Sequence, residues 1–327
     1  RAHMAKYYAL VSGLPNVTVD TPKPPFSTEA FYEELLPILT KRDRSYLEIL
    51  RLEPLNKEVL GWIAEGRLTP VEVEEESQEI TYEPSEEEPT REELFVSLLQ
   101  RVARAADAGK KSPRLKELPA YIVRFVYDLF YRKAVATDFV EESDQRPSRF
   151  EEIGADRLLL EDLLTGYYYD SVGAVGSDFL REWFSLNKNI RNILAVFTCR
   201  RLGWDASRYI VGEGEVEQHL LHSKAKDFDL GELLPYLPKV LQIAEERDIA
   251  RRERLIDLLK WQWMDDWTFV RIFDIDNVLC YYLRLSILER WSQLDEKTGE
   301  ATFRKIVLSL KGESANVLQE FKKAQKR

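Results

Sequence analysis

The chain has 327 residues, a formal net charge of −10, 44% hydrophobic residues and only 14 glycines and 14 prolines. A chain of this length buries a large core and predicts two or three lobes. The acidic balance argues against binding nucleic acid through bulk charge, because that binding depends on Lys and Arg neutralising phosphates.

The composition is typical of a mainly α protein, since charged residues make up 32% and Leu, Glu, Arg and Lys dominate the long segments. Apolar runs fall short of the roughly 20 residues that a membrane-spanning helix needs, so we expect no span. We also expect no signal peptide. Cys199 and Cys280 lie in apolar helical contexts, which favours reduced core thiols of a cytosolic protein over a disulfide.

The N-terminal segment, residues 4–70, predicts several short helices. The run Tyr7–Val11 could begin a strand or a helix, because it is too short for its period to decide. Ser27 predicts an N-cap for a helix whose apolar face carries Phe31 and Leu35. Gly66 predicts the end of the third helix that follows.

An acidic segment separates this part from the next. Residues 72–88 are rich in Glu, poor in large aliphatic residues and interrupted by proline. Dense like charges resist packing, so we interpret residues 71–92 as an exposed linker or mobile loop. The alternative is an acidic arm that docks on a basic partner.

A central helical lobe is predicted over residues 93–176. Thr90 and Glu93 have the spacing of a capping box that opens its first helix. The break at Gly109–Pro113 resembles a phosphate-binding loop only superficially, because the upstream glycine and a preceding strand are missing. An aromatic helix over Leu118–Val140 and another over Phe150–Leu164 complete the lobe.

The C-terminal region, residues 177–327, contains the stretch around which we expect the chain to be organised, Leu186–Val216. Ile190, Ile193, Leu194 and Phe197 recur at helical spacing and predict one apolar stripe. Asn187 or Asn189 is a candidate N-cap, and Gly203 predicts a left-handed end. We expect the basic residues of this helix to lie on its solvent-exposed side.

Two groups of polar residues are weak candidates for chemistry. His219 and His222 are three residues apart, so on a helix they could bind zinc with Glu215 or Glu217 as a third ligand. A structural or solvated pair is the favoured interpretation. Asp265 and Asp266 could suggest an acid pair, but adjacent carboxylates on a helix point apart.

A second organising stretch runs over Phe273–Trp291, with Asp274 or Asp276 as its candidate N-cap. Apolar residues fall on several of its faces, so the helix is expected to be buried on more than one side. Helices over Phe303–Leu310 and Val317–Phe321 and a basic tail are predicted to follow.

The order of residues in Leu186–Val216 resembles the C/d family of rotary A/V-type ATPase subunits, in which an Asn-Ile pair opens an apolar-basic helix that leads to a Gly-rich turn. The matching positions are Asn189-Ile190, Ile193-Leu194, Gly203, Tyr209-Ile210 and Gly212-Glu213-Gly214. The apolar-Tyr run Val278–Leu283, followed by Glu289-Arg290, is similar to the last lobe of that family.

The beginning of the chain carries a narrower resemblance. Tyr7–Pro15 and Pro24–Ser27 resemble the DUF2764 type, a bacterial family that travels with V-type ATPase genes. The resemblance implies a multi-lobed helical bundle of three pseudo-repeated lobes. It also implies a cytoplasmic ATPase component, peripheral at the inner face of the membrane, that couples the central stalk to the membrane rotor ring during ion transport.

Such an adapter is expected to need neither an active site of its own nor a cofactor or metal. The family analogy and helical facing suggest Arg191, Arg200 and Arg201 as solvent-facing contacts to the ring or stalk. Two alternatives remain open at this point: a cytosolic helical scaffold or regulator, and a metal-dependent hydrolase built on the two histidines.

Overall fold

The computed structural model describes residues 7–70, 89–132 and 147–294, except 155 and 174. Over these ranges the secondary structure is helical and contains no strand, which confirms the mainly α class. The predicted acidic linker over 72–88, the end of the aromatic helix beyond 132 and the helices expected after residue 294 lie outside the described residues.

Thirteen α-helices lie in the described part of the chain. The first seven are α1 Tyr8–Gly13, α2 Thr28–Leu35, α3 Lys41–Leu50, α4 Glu53–Ala64, α5 Arg91–Asp107, α6 Ala120–Phe130 and α7 Arg149–Ile153. The others are α8 Arg157–Val172, α9 Asp178–Leu202, α10 Glu215–His222, α11 Leu237–Glu245, α12 Ile249–Thr268 and α13, residues 275–294. A 3-10 helix, Ala206–Arg208, follows α9.

Backbone contacts group the described residues into two compact units. Unit 1 combines those within Arg1–Ser45 and Asp248–Arg327, and unit 2 combines those within Tyr46–Arg247. Described residues before 46 and after 247 thus fall in one unit, and the four segments expected from the sequence, 4–70, 71–92, 93–176 and 177–327, stay a prediction. The pseudo-repeat of three lobes stays a prediction.

Unit 1 is built around α13. Five consecutive residues of this helix, Val278–Tyr282, are buried, so apolar side chains pack on every face as expected. The ring of Phe31 on α2 lies 5.3 Å from that of Tyr281. Asp257 on α12, 2% exposed, accepts hydrogen bonds from Arg290 and from the indole of Trp291. These contacts fasten α2 and α12 to α13.

Unit 2 has an aromatic core centred on α8. The ring of Tyr168 lies 5.3 Å from that of Tyr121 on α6 and 5.0 Å from Phe184 on α9. Its hydroxyl donates to the Ile49 carbonyl at 2.5 Å. The Tyr121 hydroxyl donates to Asn56 at 2.6 Å, so both buried phenols have partners that offset the cost of removing their hydroxyl groups from water.

Several helix ends agree with the sequence. Ser27 accepts from the Ala30 amide, and Thr90 forms the capping box with Glu93. Gly66 at φ +72° follows the end of α4, and its amide donates to the Ile63 carbonyl. The open choice at Tyr7–Val11 resolves as helix, since α1 begins at Tyr8.

Two predicted boundaries were wrong. Helix α9 begins at Asp178 with Ser177 as its N-cap, whereas the sequence predicted Asn187 or Asn189 as the N-cap. The helix expected over Phe150–Leu164 is two helices, because Gly154 at φ +66° ends the first. The second, α8, continues to Val172 through Gly166 and the three tyrosines that follow it. No helix in the described ranges is long and apolar enough to cross a membrane.

Candidate interaction site

Helix α9 carries polar side chains on its buried face. Asn189 is 3% exposed and Asn192 is fully buried, in line with the apolar stripe rather than opposite it. The side-chain oxygen of Asn192 accepts a hydrogen bond from the backbone amide of Val211 at 3.0 Å, and the side-chain amide of Asn192 donates to the backbone carbonyl of Val211 at 2.8 Å. One side chain therefore satisfies both backbone groups of a buried residue 19 positions later.

A buried ion pair completes this arrangement. Glu217 at the start of α10 is 1% exposed, and it accepts from the Asn192 amide at 3.1 Å and from the Lys188 ammonium at 3.0 Å. A buried carboxylate is tolerated only when charged or polar groups compensate its lost hydration. We call Lys188, Asn192, Val211 and Glu217 the polar clamp.

Glycines let the chain pass close to the polar clamp. Gly212 has φ +94°, a left-handed conformation that other residues adopt at a cost. A Cβ on Gly214 would lie 2.8 Å from a carboxylate oxygen of Glu217, closer than van der Waals contact allows. The Gly-Glu-Gly turn expected from the sequence thus has two different reasons for its glycines, one conformational and one steric.

Arg191, expected to face solvent, is partly buried, with 30% of its side chain exposed. It forms an ion pair with Asp162 of α8, a carboxylate that is 8% exposed. Burial lowers the pKa of the Arg191 guanidinium from its ordinary value, although the group stays protonated at neutral pH. Arg191 is thus partly exposed and already paired within the chain, and its partner role stays a prediction.

Arg200, although exposed as a residue, also has intramolecular partners. Its guanidinium donates to the Ser223 and Ala225 carbonyls, which follow the end of α10. It also lies 4.1 Å from the ring centre of buried Phe228. Arg200 therefore fastens the segment after α10 to the end of α9.

Beyond Arg200, the end of α9 and the residues that follow it present a group of side chains that are exposed, apart from the partly exposed Tyr209. Gly203 adopts φ +71°, as the sequence predicted, and the Trp204 amide donates to the Cys199 carbonyl at 2.9 Å. The side chains of this group, which we call the α9 tip, are Arg201, Leu202, Trp204, Arg208 and Tyr209. Leu202 is 49% and Trp204 57% exposed.

The α9 tip has the composition of a protein contact. Its Trp204 ring lies 6.1 Å from that of Tyr209, so two aromatic residues stand together near solvent. Arg201 and Arg208 are exposed, which confirms the solvent-facing position predicted for Arg201. Trp, Tyr and Arg are the residues enriched where binding energy concentrates in protein interfaces.

The histidines do not converge with a third ligand. The His222 ring nitrogen Nδ1 lies 3.0 Å from the Gln218 carbonyl oxygen, one helical turn back. Glu217, the candidate third ligand, is held in the polar clamp by Lys188. Across the described ranges, no group of three His, Cys, Asp or Glu side chains is placed to hold a metal ion.

The aspartate pair is divided between two partners. Asp265 forms an ion pair with Arg284 of α13 at 2.7 Å, and Asp266 accepts from the Gln262 amide at 3.0 Å. Cys199 and Cys280 are buried free thiols. Burial raises the pKa of both thiols, which lowers the thiolate fraction that a nucleophile or metal ligand requires.

Sequence reasoning missed the polar clamp. A signal was present, since Asn189, Asn192, Val196 and Cys199 follow the helical spacing of one face and two of them are amides. Asparagine is unfavourable inside helices unless its amide has a partner. What the spacing did not give was the partner itself, because Val211 and Glu217 meet Asn192 only in the folded chain.

The chain was compared with protein families, curated proteins and solved structures. No curated protein and no solved structure matches the chain. A family described as "Protein of unknown function (DUF2764)" matches residues 4–314, which is nearly the whole sequence. The chain therefore belongs to the DUF2764 family.

Proposed function

We propose that the chain is a non-catalytic adapter subunit of a V-type ATPase or ATP synthase that couples the central stalk to the membrane rotor ring. The proposal takes its direction from the resemblance of Leu186–Val216 to the C/d family and from the association of DUF2764 genes with V-type ATPase genes. It places the protein at the cytoplasmic face of the membrane, held there by its protein partners.

The observation that supports it best is the polar clamp beside an exposed tip. Lys188, Asn192 and Glu217 fix the Gly212–Gly214 turn to α9, and Arg200 fixes the segment after α10. An adapter that passes torque must not yield at its contacts. Buried polar contacts with satisfied partners give such local rigidity, because they hold one geometry.

In this proposal the α9 tip is a partner contact and Arg201 is one of its residues. Arg191 and Arg200 act through the fold, since each already binds a group within the chain. The tip residues meet few constraints from their own chain, so replacing them should affect assembly and leave folding unchanged.

A test is to tag the chain at its native locus and isolate it gently with its partners. Wild-type chain should co-purify with stalk and ring subunits. Trp204→Ala combined with Arg201→Ala should lower their recovery at least tenfold, while the circular dichroism spectrum stays that of wild type.

The matched control is Leu233→Ala, which removes an apolar side chain that is 46% exposed elsewhere in the same unit. Its recovery of ATPase subunits should equal that of wild type. Recovery of other proteins without any ATPase subunit would instead favour the cytosolic scaffold.

A further inference from the structure

The loop between α12 and α13, in unit 1, exposes large apolar side chains in close succession. Phe269 is 81% exposed, Val270 76% and Ile272 51%. Single exposed apolar residues are ordinary on protein surfaces, but a contiguous group marks a site that another surface covers. We call Phe269, Val270 and Ile272 the apolar loop.

The apolar loop is held in shape from behind. The guanidinium carbon of Arg271 lies 4.3 Å from the ring centre of Trp267, and the Arg271 amide donates to the Thr268 carbonyl at 3.1 Å. Arg271 also lies 4.0 Å from Asp276, which accepts from the Trp267 indole at 2.9 Å. The Arg271 side chain, 41% exposed, thus lies along Trp267 toward Asp276, and these contacts hold the loop in one arrangement with its apolar side chains outside.

This fixed arrangement lowers the cost of binding. A loop that is ordered before it meets its partner loses little conformational entropy on docking. The exposed aromatic surface also extends past the loop, because the ring of Phe273 lies 4.6 Å from that of Tyr8, which is 56% exposed.

Arg271 within the loop is paired with Asp276, and the further charges beside the apolar loop are acidic. Asp266 stands three residues before Phe269 and is exposed, and Asp274 stands two residues after Ile272 and is partly exposed. Negative charge on both sides of an apolar surface disfavours anionic lipid and nucleic acid, and it favours a partner with Lys or Arg at the matching positions.

We propose that the apolar loop docks into an apolar cleft of a partner protein, and that Lys or Arg side chains rim this cleft and face Asp266 and Asp274. The inference does not depend on the proposed function, because it concerns unit 1 and the α9 tip belongs to unit 2. It assigns the protein a second contact of opposite charge to the first.

Site-specific photo-cross-linking of the full chain in its native cells tests this. The probe p-benzoylphenylalanine is placed at Val270, and a control probe is placed at Ile249. Ile249 is 68% exposed but begins α12, about 30 Å along the helix axis from the apolar loop. We expect one cross-linked polypeptide from position 270 and none from position 249.

Mapping the cross-link by mass spectrometry identifies the contacted surface. The proposal requires apolar residues flanked by Lys or Arg at the cross-linked site. The double substitution Asp266→Lys and Asp274→Lys should lower the cross-link yield at least fivefold, while Glu232→Lys, an exposed site in the other unit, leaves it unchanged.

Four outcomes overturn the proposal: cross-links to a second copy of the chain, cross-links to lipid, equal labelling from position 249, and a partner site without basic residues. The test also separates the two proposals. A mapped partner outside the ATPase would keep the docking site and reject the adapter, while co-purification with the ATPase but no cross-link would do the reverse.

Discussion

Replacing Asn192 by alanine tests the polar clamp most severely. The substitution removes three hydrogen bonds, two to the backbone of Val211 and one to Glu217. Val211 is 4% exposed, so water cannot replace the lost partners without opening the structure. The two backbone groups of Val211 are left unpaired at about 1–3 kcal/mol each, which gives a total of roughly 2–6 kcal/mol, since Glu217 keeps Lys188 as a partner. That is a large share of the roughly 5–15 kcal/mol typical of a folded domain.

Amide hydrogen exchange measured by mass spectrometry is the suitable assay, because the chain has two compact units and a single unfolding midpoint would mix them. With about 1.4 kcal/mol per factor of ten, peptides that contain Val211 should exchange at least thirtyfold faster in Asn192→Ala. Peptides from unit 1 should keep the wild-type rate.

The matched control is Asn187→Ala on the same helix. The Asn187 amide donates to the Trp183 carbonyl at 2.7 Å, within α9 itself, and the residue is only partly buried. Its effect on the Val211 peptides should be below threefold. Equal exchange in Asn192→Ala and wild type would refute the reasoning, since the clamp would then carry no stability.

Three further predictions follow from single contacts. Gly214→Ala should destabilise unit 2 by about 1–3 kcal/mol, because the added Cβ overlaps the Glu217 carboxylate. Gly61→Ala, in the open interior of α4, should instead stabilise unit 2 by about 0.5–1 kcal/mol, and urea unfolding of both variants measures the two effects. Arg200→Ala should lower the free energy of unfolding by about 1–2 kcal/mol, because Arg200 has partners within the chain, and Arg201→Ala should lower it by less than about 0.5 kcal/mol. Equal losses in thermal unfolding would contradict the assignment of a structural role to Arg200 alone. Burial raises the pKa of Tyr169 to about 12, so the stability that its protonated phenol contributes is complete below about pH 10 and is lost as the pH rises through 12. Tyr169→Phe should therefore reduce the loss of stability at alkaline pH. An unchanged pH profile would show that the phenol is not shielded from water.

The helical class and many helix ends could be predicted because they depend on local chemistry. The Thr90–Glu93 capping box and the left-handed Gly203 involve residues within one or two turns, so their spacing in the sequence contains the whole signal. The burial of Val278–Tyr282 was likewise visible as apolar residues on every helical face.

The parts that sequence reasoning missed depend on residues far apart in the chain. The start of α9 was placed at Asn187 or Asn189 because asparagine is a common N-cap, yet Ser177 caps the helix and its first turns are buried at Phe179 and Leu180. Arg191 was assigned to solvent by its charge, but it is partly buried and pairs with Asp162 on α8. Whether a charged residue on a helix faces solvent or pairs with another residue depends on the neighbouring helix, which the local sequence does not specify.

Imaging the native V-type ATPase from cells that carry the tagged chain tests the central claim most directly. Single-particle electron microscopy should show the chain bound between the central stalk and the membrane ring, with the α9 tip at a protein interface. An intact ATPase in which other subunits fill that position, and from which the tagged chain is absent, would contradict it.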